Sequence, residues 1–311
     1  MLKKILLTGA ALALSVNVAS AKELKSIGIS LGSLGNPFFI ALKNGAEFEA
    51  KKTNPDVKII TVGYDYDLGK QNTQIDNFIA AGVDLILLNP GDPKAIEPAI
   101  RRAQKAGIKV VAVDTAAAGA DATVETNNIQ AGSIACEYVI EKMGGKGNLL
   151  IVNGPQVSSV IERVKGCDEV ASKHPGVKIL SQDQDAKGSR DGGLAVGQSL
   201  LTRFPQVDGV FAINDPTGIG VELAAKQMKR TSFPITAVDG APDAENALAD
   251  AGSPQFVASS SQDPFLMARL AVQAGVKLLA GEKVEPQVQL MDSKLVTRDN
   301  VKDYKGWTSS H

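Results

Sequence analysis

From Lys25 onward the chain alternates short apolar runs with amphipathic stretches. The runs are SIGISLG, VKIITVGY, LILLNP and KVVAVDT, then NLLIVNG, VKILSQD, GVFAIND and ITAVDG. They are short, rich in Val and Ile, and not alternating, which is the pattern of strands buried on both faces. Between them Ile75, Phe78 and Ile79 fall at helical spacing, as do Ile96, Ala99, Ile100 and Ala103. AAGVD, KAGIK and HPGVK put Gly or Pro just past a helical pattern, where a left-handed cap or a stop is needed. Strand and helix repeating in this order predict parallel sheet, an α/β protein.

The pattern also echoes itself. AGIKVVAVDTAAAGAD ends a strand in Val-Asp and turns through small residues, and TSFPITAVDGAPDAEN does the same about 125 positions later. LILLNPGDP and GVFAINDPT both end a strand in Asn and then offer Asp and Pro to start a helix. Two similar βα lobes account for this; one sheet would need about ten strands in a row. One stretch does not fit a single core-facing stripe. In SLGNPFFIAL, Ser33 to Leu42, two phenylalanines fall in the first helical turn, about 100° apart around the helix. Phe39, Leu42 and Ala46 form the packing face, which leaves Phe38 pointing elsewhere, toward a cleft or over the sheet edge.

The first residues, MLKKILLTGAALALSVNVASA, have two lysines, an apolar run and Ala19-Ser20-Ala21. These are the parts of a secretion signal (1-21), with cleavage expected after Ala21 and a soluble product in the periplasm. Lys and Arg total 33 against 34 Asp and Glu, dispersed along the chain, so the basic footprint of a nucleic-acid binder is missing. Cys136 and Cys167 both fall in helical patterns and read as two small buried side chains rather than a disulfide.

In open parallel sheets, ligands sit outside the carboxyl ends of the strands. The residues there are Asn36, Asn89, Asp114, Asn214 and Asp239, with Gln262 after QFVASSS. Amides and carboxylates suit hydroxyl groups, and a carboxylate can take two adjacent hydroxyls with charge-assisted bonds. Phe38 and Phe39 suit the apolar face of a sugar ring. Asp92 and Asp215 read as helix N-caps. Asp114 and Asp239 do not, because small residues follow them. Catalysis has little support: the two histidines, His174 in a turn and His311 at the end, offer no base to a nucleophile. GISLGSLG lacks dinucleotide spacing, and in DQDAKGSRD Lys187 occupies a calcium-ligand position. No cofactor and no metal are implied.

With these residues in hand, NPFF after the first strand, INDPTGIGVELAAKQ, VDGAPDAENAL and SSSQDP, the chain resembles the periplasmic sugar-binding proteins of ABC transporters, and among them the ribose-binding group. The resemblance implies two Rossmann-like lobes with parallel sheets, joined by a three-strand hinge and closing on one sugar. It implies that Asn36, Phe38, Phe39 and Asp114 line one half of the cleft, and that Arg163, in ERVKG, with Asn214, Asp239 and Gln262 lines the other. The lobes would be 22-126 plus 263-287 and 127-262 plus 288-311, with crossings near Thr126-Asn127, Gln262-Asp263 and Gln287-Val288. The departures concern the ligand. The ribose group has an arginine after the first aspartate, where this chain has Thr115, and aromatics where it has Val238 and Ala186. The expectation is a monomeric capture protein for a neutral monosaccharide or polyol, pentose-like but not ribose, serving an ABC transporter permease. The alternative is a sensor presenting ligand to a chemoreceptor or histidine kinase, and an exported carbohydrate-active enzyme is less favoured.

Overall fold

A computed structural model describes residues 22–250 and 252–307, so the expected leader and its cleavage after Ala21 lie outside the described residues. The first four apolar runs form β1 (Ser26–Leu31), β2 (Lys58–Gly63), β3 (Leu85–Leu88) and β4 (Lys109–Val113). After β5 (Ala122–Thr126), which no apolar run marks, the other four form β6 (Gly147–Val152), β7 (Val177–Ser181), β8 (Gly209–Ala212) and β9 (Ile235–Asp239). The chain closes with β10 (Phe256–Ser261), β11 (Val288–Met291) and β12 (Leu295–Thr297).

These strands make two six-stranded sheets of one design, in the orders β11, β5, β4, β3, β1, β2 and β12, β10, β9, β8, β6, β7. Their pairings are parallel, except that β12 runs antiparallel to β10. The internal echo is thus structural: β3 and β8 hold equivalent places, as do β4 and β9. All four residues of β3 and of β8 are buried, as the short unbroken apolar runs require.

Helices α1 (Pro37–Thr53), α2 (Leu68–Ala81), α3 (Glu97–Lys105) and α9 (Pro264–Leu279) cover the first sheet. The second carries α4 (Asn128–Lys142), α5 (Ser158–Ala171), α6 (Arg190–Arg203), α7 (Asp215–Gln227) and α8 (Pro242–Ala249). Gly82 and Gly107, with φ of 64° and 81°, take the left-handed positions that the sequence marks at helix ends. In each lobe a pair of helices touches backbone to backbone. A Cβ at Gly45 of α1 would lie 2.2 Å from the Phe265 carbonyl oxygen, and one at Gly132 of α4 only 2.1 Å from that of Arg163.

That second contact corrects the reading of the cysteines. Cys136 and Cys167 are joined in a disulfide across α4 and α5, their Cα atoms 5.1 Å apart. Helices this close bring facing residues within bridging reach, and sequence separation carries no sign of it. The third crossing is also corrected. β11 lies in the first sheet, with Val288 beside Thr123, so the chain passes over between Met291 and Leu295 rather than at Gln287-Val288. There Ser293 donates its N–H to the Gln130 side chain and its hydroxyl to the Ser261 carbonyl, each at 2.8 Å. Asp92 accepts from the N–H groups of Lys94 and Ala95 and so caps a turn rather than the expected helix, since α3 begins only at Glu97 with Ile96 at its N-cap position. Asp215 is not a cap; Asn214 caps α7, and Asp215 is fully buried one residue on.

Candidate functional site

The carboxyl ends of both sheets face each other across a cleft with about 470 Å³ of empty space, including its mouth. All ten residues singled out from the sequence line it: Asn36, Phe38, Phe39, Asn89, Asp114, Thr115, Arg163, Asn214, Asp239 and Gln262. The lobes touch around it, with the Ala116 N–H donating to the Ser158 hydroxyl at 2.7 Å.

On the first lobe, Asn36 ends the loop after β1 and caps α1, its side chain accepting from the Phe38 N–H at 2.9 Å; Pro37 supplies the preset first helical φ. The cap fixes where the two rings start. Phe39 lies over Gly32, where a Cβ would come 2.7 Å from its ring, so it packs on the end of β1 and borders the cavity. Phe38 meets it edge-on at 5.4 Å and turns its other side to Trp307, 5.7 Å away. Asn89, just past β3, donates to the Asp114 carboxylate and to the Thr115 hydroxyl, both at 2.9 Å. Asp114, just past β4, has φ of 67°, in the left-handed region that a non-glycine residue occupies at a cost.

On the second lobe, Arg163 projects from α5 and is buried rather than lying on a helix surface. Its guanidinium donates to the Asn128 side chain and to the Ile213 carbonyl, both at 2.9 Å, and to Asp239 at 3.4 Å. Asp239 also has positive φ, 139°, and accepts from the Gln262 amide at 2.7 Å. Gln262 in turn accepts from the Thr126 hydroxyl at 2.7 Å, which ties two crossing segments together beside the site. Asn214 caps α7 through the Thr217 N–H and donates to the Gly188 carbonyl.

The cavity is short of positive charge. Burial pushes Asp114 up to about 7, against the pull of Arg163 and with the charge of Asp239 adding to the rise. Burial raises Asp239 to about 6, where Arg163 and Gln262 hold it down. Behind it Asp215 stands well above the carboxylate range because it is buried close to Asp239. It accepts from the Ala241 N–H at 2.8 Å and the Ser259 hydroxyl at 2.6 Å, which fixes the loop after Asp239. The site therefore presents two buried carboxyl acceptors, one from each lobe, a fixed guanidinium donor, several amides and aromatic walls. Such a set suits a compact polyhydroxylated solute.

Several wall residues were not read from the sequence. Tyr66 sits in the loop after β2, and Ser159 lies one helical turn before Arg163 on the same face of α5. Both were findable, by the strand-end rule and by helical spacing. Val238 and Ala186, the positions where the ribose group has aromatics, are buried in cores of the second lobe and do not line the cavity.

A two-lobed α/β module closed on a polar solute is the class that the fold and the site define. The chain belongs to the periplasmic binding protein family, whose domain model matches residues 27–283. It is 32% identical over 275 residues to the ribose import binding protein RbsB of Bacillus subtilis, covering 88% of this chain and 87% of that one. It is 31% identical over 290 residues to a xylitol-binding protein of Mycolicibacterium smegmatis, covering 92% and 80%. Among solved structures, an ABC transporter solute-binding protein of Bacillus halodurans with bound myo-inositol superposes with a TM-score of 0.83 at 25% identity, covering 91% of this chain and 98% of that one.

Proposed function

We propose that the protein captures one neutral monosaccharide or polyol in the periplasm and delivers it unchanged to the permease of an ABC importer. The observation that carries this is the convergence of Asp114 and Asp239, from equivalent strand ends of opposite lobes, on one cavity walled by Phe38 and Phe39. Relatives that bind ribose and xylitol, and a neighbour holding myo-inositol, support the ligand class. Ribose itself is disfavoured by Thr115, which lines the cavity where the ribose group has an arginine and so removes a guanidinium. The chain works as a monomer, exported with cleavage after Ala21.

A ligand held by Asp114 and Asn89 on one side and by Arg163 and Asn214 on the other contacts both only when the lobes are closed. Closure is then driven by the difference in binding energy between the open and closed forms. The three crossing segments act as the hinge, and the relative placement of the two lobes is what a permease reads. A thermal-shift screen against pentoses, hexoses, sugar acids and polyols tests the reading, because a ligand that binds only the folded state raises Tm. Neutral sugars or polyols should raise it. A response to sugar acids alone, or turnover of the bound sugar, would sink the proposal.

A further inference from the structure

The C-terminal segment after β12 performs a task that the ligand contacts do not. Past a short 3-10 turn at Val301–Asp303 the chain returns to the cleft, and Tyr304 donates its hydroxyl to the Gly240 carbonyl at 3.1 Å. Three residues later Trp307, only 5% exposed, donates its indole N–H to the Asp239 carbonyl at 3.0 Å. Its ring meets the Phe38 ring edge-on at 5.7 Å. Trp307 does not line the cavity, yet it touches one wall residue from each lobe. It belongs to the apolar cluster of the first lobe, together with Ala241 of the second.

We infer that Trp307 is a positioning residue for closure: anchored to the second lobe through Asp239, it seats the Phe38 ring only when the lobes meet, so closure completes the aromatic wall. On opening, the indole keeps its bond to Asp239 and exchanges the Phe38 contact for water. The edge-on pair adds to the closed state alone and so tightens ligand binding without touching ligand. This rests on the capture reading for its ligand, while one arm of the test needs none.

The chain has one tryptophan, so its emission reports this place alone. Myo-inositol, xylitol and D-ribose are the probes, and titration is done with whichever raises Tm most. At saturation the emission should move to shorter wavelength and quenching by acrylamide should fall. By calorimetry Trp307→Ala should bind about tenfold more weakly, and Trp307→Phe, which restores a ring edge, within about threefold of the parent. A merely structural role would lower Tm in both variants and leave the affinity of the folded protein alone. Affinity of Trp307→Ala within about twofold of the parent, or quenching indifferent to saturation, would overturn the inference. The ligand-free arm uses Ala116→Cys with Ser158→Cys, placed where the lobes touch, to lock them shut by oxidation. Trp307 should be shielded in the oxidised form and quenchable in the opened one, and equal quenching overturns the inference. If none of the three sugars binds, the capture reading loses its support while the locked variant still judges Trp307.

Discussion

Asp114 and Asp239 stand at equivalent ends of β4 and β9, both with positive φ, both buried, and both facing one cavity. Their surroundings differ. Asp239 is fixed by Arg163, by the Gln262 amide and, through its carbonyl, by Trp307. Asp114 is met by the Asn89 amide. The second lobe therefore carries a preorganised charge pair, whereas the first carries a carboxyl whose stabilisation is left for a ligand.

The largest effect expected is from Asp239→Asn. It strands a buried guanidinium, so ligand-free stability should fall by about 3 kcal/mol in urea unfolding, and affinity should fall about a thousandfold. Asp114→Asn should cost affinity by about a hundredfold, yet raise ligand-free stability at pH 8, because the folded state holds this carboxyl against ionisation. Equal stability changes at the two sites would erase the contrast.

Reduction of Cys136–Cys167 should come next, costing about 3–4 kcal/mol for a loop of this length and leaving affinity unchanged. The pH dependence sharpens the comparison further. Asp114 and Asp239 have folded-state values of about 7 and 6, above their unfolded value. Their contribution to ligand-free stability is full below about pH 4 and is lost as pH rises through 6 and 7. Ligand affinity runs the other way, since hydroxyls donate to the ionised carboxylates, and should fall by about tenfold or more from pH 7.5 to 5. Calorimetry across that range checks both signs. Smallest is Asp92→Ala, which removes a turn cap on the first lobe at about 1 kcal/mol and should leave affinity intact.

Much of the site was legible because the strand-end rule acts locally. Asn89 and Asn214, or Asp114 and Asp239, are placed by the apolar runs before them, and two copies of the pattern confirm each other. What escaped depends on distant contacts. β5 and β11 are short and of mixed polarity, and β11 finds its place only against β5, far back in the chain. Trp307 lies 68 residues from the Asp239 carbonyl to which it bonds, so no local period marks it. The disulfide follows from two helices packed through Gly132, which makes it a property of that contact rather than of either cysteine.

The placement of β11 also has a consequence for the order of assembly. The edge of the first sheet is sealed by a strand that comes after all but the last strand of the second sheet, with Val288 pairing Thr123. The early lobe can gather its inner strands first, but its outer edge stays open until β11, near the end of the chain, is free to pair with β5. Pairings of such long range are slow to find, and an unsealed edge in the meantime is a place for chaperones or for mispairing. The third crossing, just past β11, is thus also among the last parts of the chain to settle into its native place.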